Sequence, residues 1–238
     1  MKQEFSNLYS KAWLAGAKDE LHARGVVSIR DVVPNEIRQT IRSGIINCTS
    51  KCSVRRDLTA LETGDSARRM RNVRMNDILQ TFPAVEAVYN NSNILDILTK
   101  LFGEEVVPCP YQPERFLITQ LEKDGDTQGW HVDDYTVALM WVAETPGPGG
   151  GGFLQIAHHS DPSPKNREKT PIEYLEHSDI ISYPCVFDDV YVISSREHLH
   201  RVFPVSDGRR RTVMNMTYAT RSDLALDLDH ASIKLLWS

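Results

Sequence analysis

Two short segments, far apart in the chain, carry the residue types of a mononuclear metal site. One is Gly129-Trp130-His131-Val132-Asp133-Asp134-Tyr135 and the other is His200-Arg201-Val202-Phe203-Pro204-Val205, which runs on into Arg209-Arg210-Arg211. Together they supply two imidazoles, a carboxylate and a downstream cation. Two histidines and one carboxylate hold Fe(II) while leaving three coordination positions open. A nearby guanidinium can hold a dicarboxylate end-on through two parallel charge-assisted hydrogen bonds.

A His-x-Asp triplet alone says little, because the chain holds three: His131-Val132-Asp133, His159-Ser160-Asp161 and His177-Ser178-Asp179. The last two sit in polar, loop-like sequence. His131 instead follows Trp130 and stands directly ahead of the alternating run Val137-Ala138-Leu139-Met140-Trp141, a rigid edge suited to holding ligands. The third ligand comes from the region Asp189 to His200. His198 and His200 share one strand face if that segment is extended, and His200 leads because it enters the phrase ending at Val205. For the cation, strand parity puts Arg211 on one face with Val213, Asn215 and Thr217, and Arg210 on the other with Thr212, Met214 and Met216. A polar face suits a binding pocket and a methionine face suits a core, so Arg211 leads and Arg210 is the reserve.

The elements that must position these residues divide the chain. Residues 7–24 read as a helix, Val26 to Ile29 as a short strand, and Pro34 to about Ile46 as a second helix with Ile37, Ile41 and Ile45 at every fourth position. Residues 47–75 read as polar and irregular, and 76–102 as helix in two pieces broken near Pro83. From about residue 105 short runs of β-branched and aromatic residues alternate with turns: Glu105–Val107, Arg115–Leu121, Val137–Val142, Gly152–Ile156, Asp189–Ile193 and Thr212–Tyr218. A short helix is expected near Ile172 to Glu176. Many short strands without long intervening helices predict a mainly β fold, a sandwich or jelly roll, with N-terminal helices packed outside it. One domain over residues 1–238 is expected: a mainly helical flank (1–104), a jelly-roll core (105–220) and a C-terminal segment (221–238).

Composition narrows the partners. A net charge of -5 argues against a nucleic-acid binder. No apolar run approaches the roughly 20 residues of a membrane span, and the start lacks the apolar core of a secretion signal. Four scattered cysteines, Cys48, Cys52, Cys109 and Cys185, make no disulfide framework, so a reduced, cytoplasmic protein is expected.

In its ordered set of His131-Val132-Asp133, distal His200 within His-Arg-Val-x-Pro-Val, and the arginine after Gly208, the chain resembles the Fe(II)/2-oxoglutarate-dependent oxygenases. The glycine-rich turn before Gly152-Phe153-Leu154-Gln155-Ile156 supports the resemblance. It implies a double-stranded β-helix (a jelly roll), the cofactors Fe(II) and 2-oxoglutarate, O2 as co-substrate, and decarboxylation to succinate and CO2 coupled to hydrogen abstraction. The phrase Gly-Trp-His-x-x-Asp-Tyr is similar to that of enzymes acting on free amino acids such as lysine. Some of those are halogenases, in which glycine or alanine replaces the carboxylate ligand and chloride takes its place. This chain keeps Asp133, which favours hydroxylation, with desaturation or radical ring closure as alternatives using the same groups. The resemblance implies substrate contacts at Glu114, Gln128, Asp134, Asn215 and Thr217, and at an arginine among Arg68, Arg69 and Arg71, for which Arg69 is chosen. Gln128 departs from the histidine expected in the lysine-acting relatives. Trp237 is expected either to close over the pocket as a lid or to belong to an amphipathic terminal helix covering the sheet. The expected function is thus oxygenation of a small free amino acid or derivative in a biosynthetic setting. A jelly-roll binding protein without catalysis is the rival, and retention of all three ligands and the arginine counts against it.

Overall fold

The computed structural model describes residues 9–60, 65–158 and 171–237. Helix α1 (Lys11–Arg24) begins at Ser10, whose Oγ accepts from the Trp13 N–H at 3.0 Å, and ends at Gly25 with φ 71°. Strand β1 (Val26–Ser28) follows, then α2 (Asn35–Cys52) behind Pro34. Ile41 and Ile45 of α2 are fully buried and Ile37 packs at the edge of the same core.

The stretch 47–75 departs most from expectation. Helix α2 runs on to Cys52, and then β2 (Val54–Ala60) and β3 (Ser66–Arg74) form an antiparallel pair. Burial alternates along β3, with Ser66, Arg68, Met70 and Asn72 buried and Arg69 exposed. Three of those four inward residues are polar, so the strand has no apolar alternation to display. The helical stretch beyond it comes in three pieces instead of two: α3 (Met75–Thr81), α4 (Val85–Tyr89) and α5 (Ser92–Phe102). The second break is made by Asn91, whose side-chain oxygen accepts from the N–H groups of Asn93 and Ile94 at 3.0 and 3.4 Å.

The remaining strands are β4 (Val106–Pro108), β5 (Phe116–Leu121), β6 (Thr127–His131), β7 (Val137–Glu144), β8 (Leu154–His158), β9 (Asp179–Tyr183), β10 (Val190–Ser194), β11 (Leu199–Val202) and β12 (Arg211–Thr220). Helix α6 (Pro171–Leu175) lies near the expected position, and α7 (Ala231–Trp237) ends the chain. The strands pair in one antiparallel ladder, β1-β10-β7-β12-β5-β3-β6-β11-β8-β9, with β2 beside β3 and β4 beside the end of β12.

Strands β7, β10 and β12 are buried on both faces. Leu139, Trp141, Val192, Met214 and Met216 pack with the helices, whereas Ala138, Val142, Tyr191, Ile193 and Val213 share a second core with Leu154, Ile156 and Tyr183 of β8 and β9. That second core brings the two halves of the ladder face to face, which makes the fold a jelly roll. Burial on both faces also explains why these strands read as near-continuous apolar runs. Each large side chain in such a core is worth about 3–5 kcal/mol against alanine. No helix among the described residues is long and apolar enough to cross a membrane, and all four cysteines are free.

Candidate active site

Strands β6 and β11 are neighbours, and their register sets His131 directly opposite His200 with ring centroids 4.2 Å apart. Each Nδ1 faces a backbone carbonyl: that of Gly129 at 2.7 Å from His131, and that of His198 at 2.9 Å from His200. A carbonyl only accepts, so each Nδ1 carries the proton and each Nε2 keeps its lone pair. Both Nε2 atoms point at Asp133, whose Oδ1 lies 3.6 and 3.9 Å from them. Burial, then repulsion from His200 and Arg68, holds the His131 pKa well below its ordinary value, so its imidazole is neutral. Burial likewise raises Asp133, a cost that a bound dication reverses. Two imidazoles with inward Nε2 atoms and one carboxylate, with ligand atoms all within 4.8 Å of one another, fit a divalent iron.

Local chemistry fixes this triangle. A Cβ at Gly129 would lie 2.5 Å from Ser66 Oγ, so only glycine lets β6 approach β3 this closely. The Asp133 N–H donates to the Ser195 carbonyl at 3.2 Å, and the Ser195 N–H donates to the Thr136 carbonyl at 2.9 Å. Asp223, buried at the end of β12, accepts from the N–H groups of Thr136 and Thr220, each at 2.9 Å. Arg196 donates to the Asp134 carbonyl at 2.8 Å. The loop carrying Asp133 is therefore tied at both ends. His198 takes another direction: it lies at a bend before β11, its ring centroid 5.3 Å from that of His158 and its edge against Gly25. Of the other triplets, His177 and Asp179 are exposed, and His159-Ser160-Asp161 lies outside the described residues.

Two cavities meet at the triad. The inner one, of about 40 Å³, is lined by His131, Asp133, His200 and Arg211 with apolar walls that include Ile193, Leu154 and Val213. Arg211 is 2% exposed, its Nη2 donates to the Tyr191 hydroxyl at 3.2 Å, and its Nε has no partner. No carboxylate among the described residues pairs with it. Burial pushes Tyr191 up to about 12 against the opposing pull of Arg211, so the tyrosine stays neutral and leaves the guanidinium charge uncompensated. A buried cation with a spare donor fits a carboxylate ligand. Arg210 precedes β12 and is exposed.

The outer cavity, of about 90 Å³, shares Gln128, His131, Asp133, Leu117 and Asn215 with the inner one and adds Arg68, Glu114, Asp134 and Thr217. Gln128 Nε2 lies 2.9 Å from His131 Nε2, and the Asn215 Oδ1 is buried without a partner. Burial, then the neighbouring Asp134, pushes Glu114 up to about 9. Two expected contacts are not placed here. Arg69 is exposed on β3, and its neighbour Arg68 enters the cavity instead, donating to Ser66 Oγ and to the Gly129 carbonyl at 3.2 Å. One residue of strand parity separates them. Trp237 packs under the Arg56 guanidinium, 5.1 Å from its ring, and does not line the cavity. The roof comes from the same helix through Ser232, Ile233, Leu235 and Leu236, with Leu58, Ala60 and Met70 from β2 and β3.

A residue that sequence reading missed also stands here. His230 Nδ1 lies 2.8 Å from Glu114 Oε1 and 3.8 Å from Asp134 Oδ2, making a second cluster of one histidine and two carboxylates. It sits in no motif, and only its place in the fold reveals it.

The fold is shared with several solved structures. The non-heme alpha ketoglutarate dependent epimerase SnoN from nogalamycin biosynthesis is 14% identical with a TM-score of 0.67, over 89% of this chain and 82% of that one. The carbocyclase SnoK of the same biosynthesis is 15% identical with a TM-score of 0.67, over 92% and 86%. A prolyl hydroxylase from Trichoplax adhaerens is 12% identical with a TM-score of 0.64, over 95% and 99%. No curated protein sequence matches the chain. The sequence model described as halogenase D matches residues 9–238, and the chain belongs to that family.

Proposed function

We propose that this protein is an Fe(II)- and 2-oxoglutarate-dependent oxygenase that hydroxylates an aliphatic carbon of a small free amino acid or a derivative. The observation carrying this reading is the convergence of the inward Nε2 atoms of His131 and His200 and the Asp133 carboxylate beside a buried, uncompensated Arg211. SnoN, SnoK and the prolyl hydroxylase, named as alpha-ketoglutarate-dependent or hydroxylating enzymes, share the fold and support it. A single domain spanning the chain in a reducing, cytoplasmic setting accords with the four free cysteines.

In this reading His131, Asp133 and His200 hold the iron, and Arg211 holds the far carboxylate of 2-oxoglutarate with the Tyr191 hydroxyl against its guanidinium. When bound with O2, these cofactors supply the oxidant that removes hydrogen from the substrate, and 2-oxoglutarate leaves as succinate and CO2. The chain's own groups do the rest. Glu114, Asp134 and the Asn215 carbonyl oxygen face a substrate ammonium, Arg68 and Gln128 face its carboxylate, and Thr217 supplies a hydroxyl. Ile233 and Leu236 of α7 cover the cavity and keep water from it. The family bears the name halogenase D, but Asp133 fills the ligand position that chloride needs, which supports hydroxylation, desaturation or ring closure over halogenation.

The test is anaerobic addition of Fe(II) and 2-oxoglutarate, followed by a screen of free amino acids for succinate release. A weak visible charge-transfer band, lost in His131→Ala, and a product heavier by one oxygen are expected. No band would sink the oxygenase reading, and a product lighter by two hydrogens would replace hydroxylation with desaturation or ring closure.

A further inference from the structure

His230 is held more tightly than a bystander needs to be. It stands immediately before α7 in the left-handed region, with φ 56°. Its ring lies face to face on Tyr111, with centroids 3.8 Å apart and planes 12° from parallel. Its Nδ1 is 2.8 Å from Glu114 Oε1, and its side chain is 14% exposed. It does not line the cavity, whereas Glu114 does. The imidazole therefore grips Glu114 from behind while the carboxylate faces the cavity.

We propose that His230 is a positioning residue: its Nδ1–H holds one oxygen of Glu114 and so presents the other to a substrate ammonium. The inference rests on the substrate class proposed above. Glu114 is buried beside Asp134, and both influences favour its neutral form, which is a poor acceptor for a cation. A donor behind the carboxylate favours the anion and fixes its direction. Tyr111 keeps the imidazole from swinging away, and the chain leaving His230 builds the roof through Ile233 and Leu236.

The experiment compares binding of L-lysine and L-ornithine with their analogues in which either amine is replaced by hydroxyl. Binding to the iron- and 2-oxoglutarate-loaded protein is measured without oxygen by calorimetry. His230→Ala is expected to weaken an amine about tenfold to a hundredfold, the range of a hydrogen bond to a charged group, and to leave the matching hydroxyl analogue within about twofold. His230→Gln, whose amide can still donate to Glu114, should restore most of the preference. Equal losses for amine and hydroxyl ligands, a glutamine variant no better than alanine, or no binding by any amine would overturn the assignment. Succinate release is read separately. Amine binding that depends on His230 without any succinate would sink the oxygenase reading and leave this inference standing.

Discussion

The site holds two clusters of histidine and carboxylate at nearly the same spacing, and the partner that each Nδ1 faces separates them. In His131, Asp133 and His200, both Nδ1 atoms are turned outward to carbonyls, so lone pairs converge. In Glu114, Asp134 and His230, Nδ1 turns inward to Glu114, so the cluster satisfies itself. In the first, the two histidines stand on paired strands in fixed register and Asp133 on the loop after β6. The second is assembled from a 3-10 turn, the loop after β6 and the residue ahead of α7. Residue type and proximity do not distinguish lone pairs open to a ligand from a cluster that satisfies itself. The hydrogen bond on the second ring nitrogen does.

The comparison breaks most sharply at the first cluster. His131→Ala or His200→Ala should cut succinate release by roughly a thousandfold or more, the loss of several kcal/mol of metal-dependent stabilisation, with little change in melting temperature. If either retained a tenth of wild-type turnover, the ligand assignment would be wrong. Glu114→Ala, by contrast, should keep the charge-transfer band.

A purely structural pair offers a control of similar size on stability. Asp126 is buried, and Arg55 donates to its two oxygens at 2.6 and 2.7 Å. Burial alone would raise the Asp126 pKa, but Arg55 and the N–H groups of Glu122 and Lys123 overcome it and lower the value. A depressed folded value means that stability is present above the ordinary value of 3.8 and lost as pH falls through the folded one. Asp126→Ala should cost about 3–5 kcal/mol in urea denaturation at neutral pH and flatten the acid limb. An unchanged acid limb would remove the pair from this role.

Next in size is the choice between neighbouring arginines. Arg211→Ala should raise KM for 2-oxoglutarate about tenfold to a hundredfold, while exposed Arg210→Ala stays within about twofold. Equal mild effects would show the strand faces to be misassigned. The smallest effect belongs to the outer cavity: Arg68→Gln should raise the amino acid KM about tenfold, and Arg69→Gln should not. A larger effect from Arg69 would move the carboxylate contact out of the cavity.

The six strands expected from β-branched and aromatic runs are present, because β7, β10 and β12 bury both faces and show it in their composition. The β2–β3 hairpin was illegible for the opposite reason. Its inward face carries Ser66, Arg68 and Asn72, of which Arg68 lines the outer cavity, and a strand whose buried face is polar looks irregular in sequence. That Arg68 lines the cavity while Arg69 is exposed was illegible with it, since parity has no meaning until a strand is recognised. Parity on β12 could be read, because Met214 and Met216 mark the core face.

The sequence by itself determined the donor types, their order and the side of β12 that Arg211 shares with Asn215, since these follow from local alternation and from what imidazole, carboxylate and guanidinium can bind. Tertiary structure decided what depends on chains meeting: His131 opposite His200, the outward turn of both Nδ1 atoms, Arg68 in place of Arg69, and the roof from α7. His230 is the clearest case. Its neighbours Glu114 and Tyr111 are remote in the chain, and only the fold supplies the contact that gives it a role.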